Sequence, residues 1–572
     1  MLETETLTEQ EITTPPVRPV RVLLVYPSTA DVAVANLGFQ RVHALLNRIS
    51  GVTCDRLSLP NGWTPESAPL APEQLRSTEM NRLPTEFDLI AFSISFEPDY
   101  LNAVTLLHYF NLPLARAQRG PEQPLVVAGG SALFINPEPM ADILDLCFIG
   151  EAEGMIQEFF HLVTRQDWPD RAELSRQAAR IPGVYAPGFY TPVYDGSGQT
   201  GLEAAPGFPE KVVRHWVEEN SPQLCTHSEI HDEESTFRDM ALMEVTRGCI
   251  WACRFCTAGF IYRPPREPDI DRTYDSLAVS LERQGKAAAT IGLVGPSVTD
   301  HPDLVRLVKR MVDDGKTLSF SSLRMETLTE ELVDLILKSG QKTLTVAVDA
   351  PSERMRNAIN KAASDDYIVD KCRFLVSRGV LNLKIYSIIG LPWEEDEDID
   401  AFIELVRRVQ AAYVDASRPK GRIGTLTIAV SSLVPKPGTP FQYHPMESTS
   451  ILKKKFMKLR NAFGRLPNVQ LSFGSPREGF LQTYLTRADR RALSFFNAYL
   501  ENGLDWNRAL KAAQPSAEEV VHRQYGPDDF MPWDVIDHGY RDNFLWWDYQ
   551  RGMKEKHTPV CDTATCKICG IC

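Results

Sequence analysis

Short apolar stretches alternate with amphipathic segments over residues 20–165. The stretches PVRVLLVYP, FDLIAFSIS and PLVVAGGSALF have the unbroken apolar character of buried strands, and NLGFQRVHALLNRI has helical periodicity. This alternation predicts an α/β domain with an open, doubly wound parallel sheet. Ligands of such sheets lie beyond the carboxyl ends of the strands, where small residues let a ligand approach the backbone or simply serve tight turns. The candidate binding residues at those ends are Ser93, Ser95, Gly129, Gly130 and Gly150.

A second series of strands and helices begins near residue 241. Six predicted strands, from ALMEVTRG to RIGTLTIAVSSLV, fit a partial (β/α)6 barrel, whereas a closed barrel of this kind has eight strands. The predicted organisation is a disordered tail (1–19), the sheet domain (20–165), a linker with short strands (166–240), the barrel (241–450), a mainly helical region (451–555) and a Cys-rich tail (556–572).

Composition and net charge exclude several classes of protein. The chain has 572 residues, 43% of them hydrophobic and 24% charged, which is typical of folded soluble proteins and excludes wholesale disorder. The net charge of −14 argues against coating of nucleic acid by the whole surface. No apolar run approaches the roughly 18 residues of a membrane helix, and the acidic start lacks the apolar stretch of a signal peptide. We therefore expect a cytoplasmic protein that does not associate with membranes.

Seven of the eleven cysteines fall into two groups. Cys249, Cys253 and Cys256 form a C-x3-C-x2-C loop directly after the first barrel strand. Thiolates are the ligands of iron–sulfur clusters, and three thiolates on a four-iron cluster leave one iron open to another ligand. The aromatic Phe255 would shield such a cluster from water. A structural zinc loop usually takes two cysteine pairs instead.

The chain resembles the radical SAM superfamily through this C-x3-C-x2-C signature with its aromatic residue before the last cysteine. The resemblance implies that S-adenosylmethionine (SAM) chelates the open iron of a 4Fe–4S cluster. An electron from the reduced cluster then cleaves SAM to a 5′-deoxyadenosyl radical. It also implies an electron donor such as flavodoxin or ferredoxin.

The same resemblance implies SAM contacts at the ends of later barrel strands. Gly295-Pro296 occupy the position of the family's methionine-amino contact, although the usual GGE is absent. Gly390 to Pro392, in GLPWEE, resemble a segment near the adenine. The other implied contacts are Ser321 and Arg324 for the ribose or carboxylate, and Asp349, Ser352 and Glu353 for the ribose hydroxyls.

The order of the units makes the first domain similar to the cobalamin-binding domains that are joined to radical SAM cores. Many cobalamin domains carry D-x-H-x-x-G, whose histidine ligates cobalt, whereas the first loop here reads STADVAVANLGF. Either cobalamin binds without a protein ligand to cobalt, or the domain keeps the fold and has lost the cofactor.

The chain ends in a second cysteine group, Cys561-x4-Cys566-x2-Cys569-x2-Cys572. Its C-x2-C-x2-C part has the spacing of ferredoxin-type loops, so a second iron–sulfur cluster is expected, with zinc as the alternative. The chain resembles a largely uncharacterised group of radical SAM proteins in which a cobalamin-like domain, the core and a CxxCGxC ending recur together.

The sequence leaves three functions open. The first is methylation or other alkylation of an unidentified substrate, with cobalamin as methyl carrier. The second is a methylthiotransferase-like enzyme that modifies RNA or the ribosome, which VPKPGTPFQ and a basic stretch favour. The third is a non-catalytic electron-transfer or assembly protein. The basic stretch is Lys453, Lys454, Lys455, Lys458, Arg460 and Arg465, which could follow phosphates or form a solvated helix face. The substrate itself, RNA or a small molecule, is not determined by these patterns.

Overall fold

The computed structural model describes residues 19–572 except 68, 165–169, 197, 220, 231–235, 237–239, 286–289 and 321–322. Its strands are β1 (Val20–Thr29), β2 (Val52–Leu59), β3 (Leu89–Ser93), β4 (Leu125–Gly129), β5 (Leu146–Phe148), β6 (Val184–Tyr185), β7 (Tyr190–Asp195), β8 (Gly198–Ala204), β9 (Val212–Val213), β10 (Met240–Glu244), β11 (Thr290–Val294), β12 (Thr317–Phe320), β13 (Thr343–Asp349), β14 (Asn382–Ile389), β15 (Leu426–Ser432), β16 (Val469–Phe473) and β17 (Ile536–Asp537). Its α-helices are α1 (Ala30–Val34), α2 (Leu37–Asn47), α3 (Asp99–Tyr109), α4 (Ser131–Ile135), α5 (Met155–Thr164), α6 (Arg171–Ala178), α7 (Ile270–Arg283), α8 (Leu304–Asp313), α9 (Glu330–Lys338), α10 (Glu353–Ala358), α11 (Asp365–Arg378), α12 (Asp396–Ser417), α13 (Thr449–Phe463), α14 (Pro476–Arg487), α15 (Leu493–Glu501), α16 (Trp506–Ala509), α17 (Ala517–His522) and α18 (Phe544–Met553).

The first domain contains the predicted doubly wound sheet. Its strands run in the order β2-β1-β3-β4-β5-β6. Pairing is parallel from β2 to β5, and β6 joins β5 antiparallel. The chain reverses direction across the sheet between β1 and β3, which is where such folds bind their ligands.

Both faces of this sheet are buried, which explains why its strands read as unbroken apolar runs. Val22, Leu24 and Val127 belong to an apolar cluster that also contains residues of α2, α5 and α6. Leu23 and Val126 face the other way and join the large core that continues into the second unit. The two units therefore share one apolar core.

The second unit is an open barrel of parallel strands, as predicted. Strands β10-β11-β12 form one sheet and β13-β14-β15-β16 form another. A parallel bridge between Leu323 and Val346 connects the two sheets. The helices between these strands cover the outside of the barrel, as in (β/α) proteins.

One strand lies beyond the predicted end of the barrel. Residues 469–473 form β16, which pairs parallel with β15 through Leu426↔Val469 and the residues that follow. The described barrel therefore has one strand more than the (β/α)6 expectation. The rest of the region after residue 450 is mainly helical, as predicted.

The C-terminal region returns to the linker. Strand β17 pairs parallel with β9 through Ile536↔Val212 and Asp537↔Val213. Among the described residues, no helix combines the length and the apolar character that a membrane crossing requires.

Candidate functional site

The three clustered cysteines lie on the loop that follows β10. Gly248 starts the loop with φ +79, and a Cβ on it would lie 2.5 Å from the carbonyl oxygen of Tyr262. Glycine is therefore required for the chain to turn there. The amide of Cys256 donates to the carbonyl of Cys253 at 2.9 Å, which closes the turn between the second and third thiols.

Burial and mutual proximity hold these thiols in their protonated forms in the absence of a bound cation. Burial, followed by the neighbouring Cys253, raises the pKa of Cys249 to about 11 and that of Cys256 to about 12. Burial also raises the pKa of Cys253, whereas the positive charges of Lys361 and Arg324 oppose this rise. Thiols that share one buried pocket fit a metal cluster, whose binding displaces their protons.

Arg324 lies beside this loop. Its guanidinium carbon is 3.6 Å from the ring centroid of Trp251, and the indole of Trp251 donates to Asp300 at 2.8 Å. Arg324 also donates to Glu326 at 3.3 Å. The guanidinium is thus fixed by stacking and by one carboxylate, close to the Cys253 thiol.

Several polar atoms around the loop are buried without a hydrogen-bond partner in the part of the chain that the structure describes. They are Arg324 Nε, Glu326 Oε2, Thr246 Oγ1 and Ser387 Oγ. Unpaired buried polar groups are costly, so these atoms are candidates for contacts with a polar ligand. An amino acid moiety, which has both a cation and a carboxylate, matches this mixture of donors and acceptors.

The predicted SAM-contacting residues lie in different surroundings. Gly295 and Pro296 line a large cavity in front of the cysteine loop. Asp349 lies at the end of β13 with φ +64, and the buried ammonium of Lys361 donates to its carboxylate. Ser321 lies outside the described residues. Lys361 was missed by the sequence reasoning, because nothing local marks a lysine twelve residues beyond the strand end as its partner.

Ser352 and Glu353 have other partners. The Ser352 hydroxyl donates to Asp398 at 2.6 Å and accepts from the amide of Met355, so it caps α10. Glu353 is exposed in the first turn of α10 and accepts from the amide of Asp365. Helix capping and exposure to solvent describe these side chains in the structure, and the ribose contacts that the resemblance implied stay predictions.

The segment from Gly390 to Pro392 is held by a buried ion pair. Glu394 accepts from the amide of Gly390 at 3.0 Å and from the Lys455 ammonium at 2.7 Å. Lys455 also pairs with Glu447 at 2.9 Å, and Pro392 is buried. Lys455 therefore belongs to the core rather than to a phosphate-binding stripe, and Lys458 pairs with Asp400 at 2.6 Å. This weakens the basic stretch as an RNA contact.

Phe255 packs at the edge of an apolar cluster that includes Ala350 and Leu391. These two residues follow β13 and β14, so Phe255 connects the cysteine loop to the carboxyl ends of those strands. This position is compatible with the shielding role expected for it.

A cavity of about 690 Å³ lies between the first domain and the barrel. It is lined by Gly248, Thr257 and Ala258, which flank the cysteines, and by Gly295 and Pro296. The predicted binding residues of the sheet line it as well, namely Ser93, Ser95, Gly129, Gly130 and Gly150. The structure thus brings the two sets of candidate residues to one space.

The backbone around this cavity requires glycine at some positions and would accept a larger residue at others. A Cβ on Gly130 (φ +111) would lie 2.3 Å from the carbonyl oxygen of Ile94, and one on Gly150 (φ +120) would lie 2.1 Å from that of His215. Both are required by the protein's own backbone. Gly129 has no such constraint, since its Cβ would meet Phe148 at an ordinary 3.4 Å.

The cavity extends under the sheet into an apolar branch. This branch is lined by Val22, Leu24, Leu89, Ala91, Val127, Leu46, Ile156 and Phe160. Its upper part is lined by small and polar residues, and its volume is in the range of cofactor sites. The lining therefore offers both polar and apolar contacts to a ligand. Among the described residues that line the cavity there is no histidine.

Two buried arginines join the domains next to the cysteine loop. Arg247 pairs with Glu151 at 3.1 Å and with Glu244 at 2.7 Å. Arg266 donates to the same Glu151 through both terminal nitrogens, at 2.9 and 2.5 Å. Since Glu151 belongs to the first domain and Arg247 precedes Gly248, these contacts fix the sheet relative to the cysteine loop. Only the position of Arg247 directly before Gly248-Cys249 could have suggested this from the sequence.

The Cys-rich tail docks on the same loop. The amide of Cys561 donates to the carbonyl of Ile250 at 2.8 Å. Asn360 donates to the carbonyls of Ala252 and Thr558, each at 3.1 Å. A second cavity of about 310 Å³ lies between the tail and the loop and is lined by Gly248, Ile250 and Cys561, among others.

The tail thiols lie near one another and near buried cations. Burial raises the pKa of Cys561 to about 12. The charge of Arg263 opposes this rise, and the other three tail thiols add to it. Arg263 is 4% exposed and hydrogen-bonds to the Cys569 thiol. Within the described ranges, no three His, Cys, Asp or Glu side chains are grouped to hold a single metal ion.

Buried polar atoms without partners lie near this second thiol group. Among the described residues, the Nε and Nη1 atoms of Arg214, Nδ1 of His538 and the hydroxyl of Tyr540 have no hydrogen-bond partner. Arg263, Arg214 and Cys569 all lie close enough to the Tyr540 hydroxyl for their charges to act on it. Unpaired cationic and hydroxyl donors around thiols fit an anionic sulfur cluster as their acceptor.

Family models match two parts of the chain. The model of the radical SAM superfamily matches residues 243–406, and the model of the N-terminal region of radical SAM proteins matches residues 38–187. The uncharacterized protein MJ0966 of Methanocaldococcus jannaschii is 29% identical over 427 residues, which cover 74% of this chain and 83% of that protein. A tRNA-2-methylthio-N(6)-dimethylallyladenosine synthase of Chlorobium phaeovibrioides is 28% identical over 183 residues, covering 30% and 40% of the two chains.

Solved structures with a similar arrangement are distant in sequence. The cobalamin-dependent radical SAM enzyme OxsB, with aqua-cobalamin and SAM bound, aligns with TM-score 0.49 and 14% identity over 87% of this chain and 72% of its own. The methyltransferase TsrM from Kitasatospora setae aligns with TM-score 0.45 and 14% identity over 94% and 97%. The two matching family models together span more than half of the residues, and the chain is a member of the radical SAM superfamily.

Proposed function

We propose that this radical SAM enzyme alkylates, and most simply methylates, an unactivated position of its substrate with the help of cobalamin bound between the two domains. The observation that carries the proposal is the shared cavity of about 690 Å³, into which both the flanks of the cysteine loop and the strand ends of the first sheet open. A cofactor in the sheet and SAM on the loop would therefore act on one substrate.

Cys249, Cys253 and Cys256 would hold the 4Fe–4S cluster that the family uses. When bound, this cluster supplies the electron that cleaves SAM at its open iron. Arg324, with an unpaired buried Nε, would orient the carboxylate of SAM. Arg324 and Lys361 would also offset the negative charge of the Cys253 thiolate, since both charges act on it. The apolar walls of the cavity keep water from the radical.

The first domain would hold cobalamin, which supplies a cobalt that can carry a methyl group. Ser93, Ser95 and Gly129 would contact its polar rim, and Ala91 and Phe160 would contact its apolar appendage. A protein ligand to cobalt is not part of the proposal, because no histidine lies among the described lining residues.

The tail cysteines would hold a second iron–sulfur cluster. The buried arginine at Cys569 and the unpaired donors of Arg214 and Tyr540 support a cluster here, since they offer hydrogen bonds to its sulfur atoms. Zinc bound by the same thiols is the competing outcome.

Metal analysis of anaerobically purified protein tests all three cofactors together. We expect about eight iron atoms, about eight sulfides and one cobalt per chain. An Ala91→Phe variant fills the apolar branch and should lose cobalt while keeping iron. The matched control is Val279→Phe on α7, where the wild-type side chain is 45% exposed, and it should keep both. Wild-type protein that contains iron but takes up no cobalamin when incubated with it would refute the role of the first domain.

A second candidate is methylthiolation of RNA. The similarity of 30% of the chain to a tRNA-modifying relative favours it. It predicts a thiomethylated nucleoside that disappears on deletion of the gene. Nucleoside analysis of tRNA from deletion and parent strains separates this candidate from the first, because methylation by cobalamin adds carbon without sulfur.

A further inference from the structure

We propose that the C-terminal tail is the point at which electrons reach the enzyme: its basic surface binds a small acidic one-electron carrier, and its cluster passes the electron to the cysteine loop. This inference rests on the tail cluster of the proposed function. The surface, called the tail face below, consists of Arg541, Arg551, Lys554, Lys556 and Lys567.

The tail is joined to the cysteine loop through its backbone. The amide of Cys561 donates a hydrogen bond to the carbonyl of Ile250, the residue after Cys249. Asn360 donates to the carbonyls of Thr558 and of Ala252, the residue before Cys253. Cys569 lies in an apolar cluster with Ala252, Phe260 and Phe544. Cys561 is thus hydrogen-bonded to the residue next to Cys249, and Cys569 lies in a cluster with the residue next to Cys253, which gives short paths for an electron.

Buried cations suit a centre that becomes more negative. Arg263 hydrogen-bonds to Cys569, and its guanidinium carbon lies 5.2 Å from the ring centroid of Phe260. Arg214, 4% exposed, has two unpaired nitrogens nearby. Positive charge and hydrogen bonds near a cluster favour its reduced form, so the tail centre is suited to accept an electron.

The outer side of the tail is basic although the chain is acidic. The whole chain carries −14, whereas residues 541–572 contain five Lys or Arg against four Asp or Glu. Two of these four acids have cationic partners outside the segment, since Asp548 is buried against Arg254 and Glu555 lies 3.9 Å from Arg354. Asp562 keeps its negative charge, because its partner at 2.6 Å is the neutral hydroxyl of Thr565. Among the described residues, five cations therefore face two acids without a cationic partner.

An aromatic residue connects this surface to the tail thiols. Trp547 lies between the guanidinium groups of Arg541 and Arg551, at 5.6 and 4.9 Å from its ring centroid, and stacks on Phe544 at 6.0 Å. Lys554, Lys556 and Lys567 are exposed on the chain that follows it. A positive patch on an acidic protein attracts a carrier with a negative surface and suppresses non-specific contacts elsewhere.

The electron count is simple. The reduced carrier loses one electron to the tail cluster and leaves oxidised. The tail cluster then returns to its oxidised state by giving that electron to the cluster on the loop, where it is used to cleave SAM. No proton or further co-reactant is needed in either transfer.

The test is the rate at which the first cluster is reduced, followed by rapid-freeze EPR of protein loaded with SAM. Reduced flavodoxin is one reductant and dithionite, a small ion, is the other. Lys554→Glu/Lys556→Glu/Lys567→Glu should slow reduction by flavodoxin about tenfold or more at low salt and leave reduction by dithionite unchanged. Raising the salt concentration should slow the wild type with flavodoxin. Lys342→Glu/Lys420→Glu, at exposed lysines on the opposite end of the barrel, should leave all rates unchanged.

A second variant tests the relay itself. Cys566→Ser/Cys569→Ser should retain about four iron atoms per chain and lose fast reduction by flavodoxin. If this variant is reduced at the wild-type rate, or if the triple variant behaves like its control, the relay is wrong although the proposed function stands. If wild-type protein contains about four iron atoms and no second cluster, the tail cofactor of the proposed function itself is wrong.

Discussion

Arg254 and Asp548 form an ion pair in which neither side chain is exposed, with Nη2 3.0 Å from Oδ1. Arg254 lies between the second and third cysteines of the loop, and Asp548 lies on α18, 294 residues further along the chain. The same guanidinium donates to the carbonyls of Ala358 and Lys556, each at 2.7 Å. This one side chain therefore joins the loop, the barrel and the start of the tail.

Loss of Arg254 should release the tail from the loop. Arg254→Met leaves Asp548 buried without its counter-charge, which costs about 3–5 kcal/mol. We expect a lower Tm and rapid proteolysis after residue 543. The exposed pair of Arg407 and Glu404 provides the control, because Arg407→Met should change stability by less than about 1 kcal/mol. Equal resistance to protease in both variants would contradict the role of Arg254.

Replacement of single cysteines should distinguish cluster ligands from core residues. Cys253→Ala should abolish formation of 5′-deoxyadenosine and remove about four iron atoms per chain, because two remaining thiolates hold the cluster poorly. Cys372→Ala is the matched control, since this thiol is fully buried in the core and belongs to neither group. The control should keep both iron and activity, and retention of iron by Cys253→Ala would contradict the assignment.

Adjacent glycines at the cavity should respond differently to alanine. Gly129→Ala places a methyl group in the cavity without backbone strain and should weaken cobalamin binding about tenfold, equivalent to about 1.4 kcal/mol, with an unchanged Tm. Gly130→Ala forces a positive φ and a clash with Ile94, so it should lower the Tm by the equivalent of about 1–3 kcal/mol or more. Equilibrium binding and thermal melts measure the two effects. Identical cobalamin affinity in Gly129→Ala and wild type would show that the ligand does not approach this strand end.

The half-buried carboxyl of Asp99 should make stability depend on pH. Burial, and then the nearby Glu97, raises its pKa to about 7, compared with about 3.9 in the unfolded chain. The folded state therefore binds the proton more tightly, so this group's contribution is greatest below about pH 4 and is lost as the pH rises through about 7. Asp99→Asn removes that loss, and its Tm should exceed that of the wild type increasingly from pH 5 to pH 8. Asp370→Asn, on the exposed side of α11, should show a constant difference. A constant difference for Asp99→Asn as well would contradict the raised pKa.

The sequence predicted the features that depend on neighbouring residues. The apolar strands of both units and the C-x3-C-x2-C loop are local patterns, and the structure contains the sheets where those patterns indicate them. The exception is β16, in which partly buried residues alternate with exposed ones. Its apolar pattern is therefore too weak to distinguish a strand from the helices around it.

Contacts between distant segments could not be predicted in the same way. Arg247 meets Glu151 across 96 residues, and Lys455 meets Glu394 across 61, so no local pattern pairs them. Ser352 shows the reverse case: a family position suggested ligand binding, and the structure adds local partners for its hydroxyl in Asp398 and the amide of Met355. Burial of charge, which sequence patterns report poorly, accounts for most of these differences.

The central claim is that the cluster on Cys249, Cys253 and Cys256 has an iron that SAM occupies. EPR spectroscopy of the reduced Cys566→Ser/Cys569→Ser protein, recorded with and without SAM, tests it most directly because the tail signal is removed. The account predicts one reduced-cluster signal whose g values shift when SAM is added. A signal that is identical in the presence and absence of saturating SAM would contradict it.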